Sequence, residues 1–69
     1  MGLRVKGIVT RAGKREHLVR LDTPHEGVRT VTIGYMAGIT GLVLGQAVDW
    51  PNCTILAQTP NSIFVGSVG

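Results

Sequence analysis

A single, small all-β domain is what this chain of 69 residues predicts, and three features carry that prediction. Apolar and polar residues alternate with a period of two where the chain begins. Short runs rich in Val, Ile and Thr recur between Gly- and Pro-containing corners. No stretch supports a helix, because the least strand-like segment, residues 34–41, contains Gly34, Gly38 and Gly41, each costing a helix about 1 kcal/mol. Short strands with glycine-rich corners and no helix make a small barrel or sandwich, and five strands of this length close most readily into a partly open barrel.

The elements follow in order. Leu3 to Thr10 is the first strand, with Leu3, Val5 and Val9 on one face and Arg4, Lys6 and Thr10 on the other. Gly7 inside it predicts a bend or a close backbone approach. Arg11 to Arg15 reads as a basic hairpin turn, and His17 to Asp22 as a second strand with Val19 and Leu21 inward and Arg20 outward. Thr23 to Gly27 is predicted as a loop on its Pro and Gly. Val28 to Ile33 is a third, β-branched strand. Leu42 to Leu44 leads into a turn near Gly45–Gln46, then into a fourth strand that Pro51 is expected to end. Cys53 to Ala57 and Ser62 to Gly66 are expected to pair as a closing hairpin, with Phe64 in the core. No repeat or linker divides residues 1–69, so one domain is expected.

Charge is distributed unevenly. The net charge is +3, yet all seven basic residues, Arg4, Lys6, Arg11, Lys14, Arg15, Arg20 and Arg29, precede residue 30, and beyond Arg29 only Asp49 is charged. Adjacent strands would merge the cations into one positive face, suited to a polyanion. The nearly neutral remainder must be covered by a core, an oligomer interface or a membrane. A membrane helix over residues 31–48 is disfavoured by Thr32, Thr40, Gln46 and four glycines, although Gly34/Gly38 and Gly41/Gly45 have the GxxxG spacing.

Signals for catalysis are absent. His17 and His25 are the only imidazoles and Cys53 the only thiol, and none has nucleophile or metal-ligand spacing. The sequence therefore predicts no enzyme, no metal and no cofactor. One cysteine and no secretory pattern at Met1–Lys6 lead to a cytoplasmic expectation. The aromatic set is Tyr35, Trp50 and Phe64. Tyr35 is the candidate for stacking on bases, while Trp50 suits a core edge, an interface or a stacking platform.

Gly7-Ile8-Val9, Val19-Arg20-Leu21, Gly45-Gln46-Ala47-Val48 and Ile63-Phe64-Val65 occur in the order and spacing of the small OB-fold barrels of the bacterial translation initiation factor one type, which the chain resembles. The resemblance implies an OB-like five-stranded barrel. Such factors carry a basic run between strands three and four, whereas residues 35–44 are uncharged here. Gly41 to Val48 is similar to the corner of swapped-hairpin transition-state regulators, which are dimeric DNA-binding proteins. The closing Ile-Phe-Val-Gly is similar to oligomeric molybdate-binding barrels, which implies oxyanion binding between subunits.

The resulting expectation is a non-enzymatic nucleic-acid-binding barrel, homo-oligomeric through its neutral half. Arg4, Lys6, Arg11, Lys14, Arg15, Arg20 and Arg29 are its candidate phosphate contacts, with Tyr35 as stacking partner. Specificity for base sequence should be weak, because Asn and Gln are scarce on the basic strands. The alternatives are a structural or protein-interaction module, such as a ring, and a small-oxyanion binder.

Overall fold

In a computed structural model, which describes residues 2–34, 39 and 41–69, the chain is all β, without helices among the described residues. The strands are β1 (Gly2–Ala12), β2 (Glu16–His25), β3 (Val28–Gly34), β4 (Ala47–Gln58) and β5 (Ile63–Ser67). They form a closed barrel in the order β1-β2-β3-β5-β4, with β4 returning to β1. All pairings are antiparallel except that of β3 with β5. The barrel is thus fully closed, where strand length alone suggested a partly open one. A 2.6 Å hydrogen bond between the Thr32 and Ser62 hydroxyls fastens the β3–β5 seam.

The period-two pattern sets the inside of the barrel. Leu3, Val5 and Val9 from β1 meet Val19 and Leu21 from β2, Val28, Val31 and Ile33 from β3, Val48 and Cys53 from β4, and Ile63 and Val65 from β5. Most are β-branched, so their stiff side chains fill a narrow barrel at little entropic cost. Trp50 is half-buried against this core, the core-edge position among those its sequence context allowed.

Gly7 occupies an inward position between Val5 and Val9 and pairs with both Leu21 and Val48. A Cβ there would overlap the Arg20 carbonyl oxygen and lie 2.8 Å from the carbonyl carbon. Absence of a side chain lets β1 bend and serve two neighbours at once.

Two boundaries and one burial assignment differ from the sequence expectation. Pro51 does not end the fourth strand: β4 runs through it to Gln58. Leu3 pairs with Cys53 and Val5 with Trp50, so β4 carries one extra residue at this point, and a bulge tolerates a proline that has no N–H for the ladder. Thr23 to Gly27 is not a five-residue loop, because β2 continues to His25 and turns through Glu26 and Gly27 alone. Both turn residues have positive φ, 51° and 81°, as a tight hairpin of the I′ kind requires. The extra length appears as an irregularity between Arg20 and His25, around Pro24. Third, Phe64 is not core. It is 38% exposed, with Ile63 and Val65 inward on either side of it.

Segment 41–46 extends the β1 side of the barrel. Gly45 N–H donates to the Val9 carbonyl at 2.8 Å and Val9 N–H to the Gln46 carbonyl at 2.9 Å. The turn at Leu44–Gly45 is closed by Gln46 N–H to the Val43 carbonyl and by Val43 N–H to the Gln46 side-chain oxygen. No helix among the described residues is long and apolar enough to cross a membrane.

Candidate nucleic-acid interface

The outward parity of β1 and β2, with the exposed start of β3, collects the cations. Arg4 and Lys6 lie outward on β1, followed by Ile8, which pairs with Arg20 on β2; Arg20 in turn pairs with Thr30 on β3, next to Arg29. Neighbouring strands are about 4.8 Å apart, so these side chains share one wall. Two shallow clefts cross it. One is lined by Ile8, Thr10, Arg20, Asp22 and Arg29, the other by Arg4, Lys6, Asp22 and Thr23. Asp22 stands between them, so four cations surround one carboxylate at the centre of the wall.

The cations are not equivalent. Arg4 grips Asp49 of β4 through one edge of its guanidinium, Nε donating to Oδ1 at 2.9 Å and Nη2 to Oδ2 at 2.8 Å. That hydrogen bonding holds the Asp49 carboxyl below its ordinary 3.8, opposed by desolvation and aided by the Arg4 and Lys6 charges. The same contact raises the Arg4 guanidinium. Arg4 is thus spoken for at the edge of the wall. Arg29 is braced: its Nη1 donates to the Leu21 carbonyl at 3.3 Å, which lays the side chain across β2 toward Arg20. Lys6 and Arg20 have no carboxylate within salt-bridge distance among the described residues.

The β1–β2 hairpin forms a second basic group. Arg11, Lys14 and Arg15 line one pocket with Glu16. Arg11 and Glu16 approach only to 3.9 Å, a loose exposed pair of little energetic weight. Gly13 N–H to the Glu16 carbonyl at 3.0 Å closes the turn. The hairpin joins β1 to β2, so Arg11, Lys14 and Arg15 lie at one end of the two strands that carry Lys6 and Arg20. Tyr35, the expected stacking residue, lies outside the described residues.

No protein-family model matches the chain, no curated protein matches it, and no solved structure matches it. The reading of the site therefore rests on its own geometry.

That geometry includes one aromatic which composition-based reasoning had assigned to the core. Phe64 opposes Thr32 on β3 and Ala57 on β4, and its ring is accessible on the outer wall beside Leu56. Thr32 is also paired with Leu18 of β2, two residues from Arg20. Leu18, Thr32 and Phe64 thus form one row across β2, β3 and β5, with Arg20 two residues further along β2. The signal was present in the sequence: Ile63 and Val65 share a parity that excludes Phe64, and a strand has only one inward face.

Two histidines and one cysteine complete the inventory of reactive groups. His17 faces the barrel end, and its Nδ1 is buried without a hydrogen-bond partner among the described residues. His25 lies 3.3 Å from Glu26 at the β2–β3 turn. Cys53 is fully buried, and burial raises its thiol above the ordinary value, opposed by backbone hydrogen bonding near Val5 and Gly69. A neutral core thiol is a poor nucleophile. Among the described residues no three His, Cys, Asp or Glu side chains gather where they could hold a metal ion.

Proposed function

We propose that this barrel binds nucleic acid without transforming it, through the cations of the β1–β3 wall and of the β1–β2 hairpin. The observation that carries the reading is the grouping of Lys6, Arg20 and Arg29 in the clefts of the wall, with Arg11, Lys14 and Arg15 gathered on the hairpin that joins β1 to β2. A phosphate chain laid against these cations releases its condensed counterions, which supplies sequence-independent affinity. The barrel also resembles the OB type, in which the β2–β3 face and the β1–β2 loop are the usual contacts to oligonucleotides. That likeness is one of fold and adds support only because the cations fall on the corresponding elements. The single buried thiol fits a reducing, cytoplasmic setting.

Binding titrations of short single- and double-stranded oligonucleotides at several salt concentrations test this. With five phosphate contacts on a single strand, log affinity should fall against log salt with a slope of about −3.5, a loss of about a hundredfold between 50 and 200 mM. A slope near zero, or no binding at the lowest salt, rejects the reading.

Self-association is a second reading favoured by a specific observation. Val43 and Leu44, 61% and 70% exposed, stand on the turn that precedes β4, and an apolar turn of this kind suits a contact between copies. Light scattering on the nucleic-acid-free protein decides it: a defined oligomer supports an assembly role, and a monomer excludes one.

A further inference from the structure

A cleft on the β3–β5–β4 side of the barrel has a composition that neither phosphate binding nor barrel closure explains. Its floor is apolar, formed by Phe64 and Leu56 with Thr32 and Gly66, and its rim carries one cation, Arg15, and one carboxylate, Glu16. The volume is ≈ 350 Å³, within the range of sites that take small ligands.

The fold builds this cleft deliberately. Ile55 pairs with Val65 and Ala57 with Phe64, so Leu56 is the extra residue of a β-bulge on β4. Bulges re-aim side chains, and Leu56 is turned to lie over Gly66, where a Cβ would sit 2.7 Å from it. Gly34 leaves the other end open, with nothing among the described residues within 4 Å of where its Cβ would be. An aromatic ring and a leucine, 38% and 70% exposed, are thus held beside an unfilled space and next to the basic hairpin.

We infer that this cleft receives one unstacked base of a single-stranded nucleic acid, and that Glu16 favours bases bearing an exocyclic amino group. The inference rests on the nucleic-acid reading of the basic wall and specifies which form of nucleic acid is bound. A planar base stacks on Phe64 and is flanked by Leu56, an arrangement every base tolerates. Arg15 meets the adjoining phosphate, in line with Lys14 and Arg11. Glu16 repels a polyanion unless it receives hydrogen bonds. The amino groups of cytosine and adenine donate to a carboxylate, and the edge of guanine does likewise, whereas thymine and uracil offer a single N3–H flanked by two carbonyl acceptors that repel it. Bases inside a duplex are already stacked and paired, so a duplex reaches the cations but not the cleft.

The test is fluorescence anisotropy with labelled dC, dA and dT octamers and a short mixed-sequence duplex, on the wild-type protein, Phe64→Leu and Glu16→Gln. Phe64→Leu keeps the cleft apolar and removes the ring, and circular dichroism melts report whether each variant is folded. The expected result has three parts. Wild type binds dC and dA about tenfold more tightly than dT. Phe64→Leu weakens every single strand by about tenfold while leaving the duplex unchanged. Glu16→Gln abolishes the preference over dT without weakening dT itself. Equal binding of dC, dT and duplex, with the steep salt dependence intact, overturns the inference and leaves the nucleic-acid reading standing. Absence of binding to any of these probes at low salt overturns both.

Discussion

Replacing Gly7 with alanine is expected to destabilise the barrel by about 3 kcal/mol or more, and replacing it with valine to abolish cooperative folding. The new Cβ has nowhere to go: it falls on the Arg20 carbonyl oxygen, 2.8 Å from its carbon and 3.0 Å from the Leu21 Cα. Those are backbone atoms, and they cannot swing aside as a flexible side chain would. Moving β2 away breaks the ladder in which Gly7 pairs with Leu21, and moving β1 instead breaks the one in which it pairs with Val48. A domain of this length has about 3–10 kcal/mol of total stability, so one such clash consumes much of it. Gly34→Ala is the matched control, since its added methyl meets nothing within 4 Å among the described residues. Urea midpoints of the two alanine variants should differ widely, and similar midpoints would show that β1 does not depend on this close approach.

The double variant Arg20→Glu/Arg29→Glu is expected to lose nucleic-acid affinity by about a hundredfold or more at low salt while keeping the wild-type melting profile. Both side chains are exposed, so the core is untouched. Arg29 gives up its 3.3 Å hydrogen bond to the Leu21 carbonyl, a part-buried contact of modest net worth. Two charge-assisted phosphate contacts, each worth about 1.5 kcal/mol or more, are lost, and two repelling carboxylates join Asp22 in the same cleft. The salt slope should also become shallower by about 0.7 for each contact removed. Arg4→Gln is the informative contrast. Arg4 already donates to Asp49 through its Nε and Nη2 and has its charge balanced there, so its removal should cost less affinity than that of either wall arginine. An Arg4→Gln loss as large as that of the double variant would mean that the ion pair opens to admit phosphate.

Much of this fold is legible in the residues because a strand exposes its pattern directly. Leu3, Val5, Val9, Val19 and Leu21 are inward as their alternation requires, and Gly7 marks a close backbone approach as a glycine within a strand should. What escaped local reading was irregular pairing. Pro51 signals an end when read alone, yet a bulge opposite Leu3–Val5 absorbs it. Pro24 reads as loop, yet it sits in the irregular stretch of β2 before a two-residue turn. Both outcomes depend on how many residues the partner strand supplies, which no single segment records. The parallel β3–β5 pairing that closes the barrel is likewise a long-range fact.

The cations could be placed from sequence because hairpin-connected strands are neighbours, and β1, β2 and β3 are joined in that way. Their partners could not. Arg4 meets Asp49 across 45 positions of sequence, through the β1–β4 pairing that only barrel closure creates. Phe64 was misassigned for a different reason. Flanking isoleucine and valine suggest burial by composition, whereas parity sends the middle residue of such a triplet to the opposite face. The cleft it lines with Leu56 and Glu16 joins three parts of the chain and has no local signature.

The most direct measurement of the central claim is amide chemical-shift mapping of the ¹⁵N-labelled protein during titration with a short single-stranded oligonucleotide. Shifts should concentrate at Lys6, Lys14, Arg15, Arg20 and Arg29 and continue to Phe64, with little change at Val43 and Leu44. Shifts confined to the turn before β4, or scattered evenly around the barrel, would contradict the claim that one side of it is built for a phosphate chain.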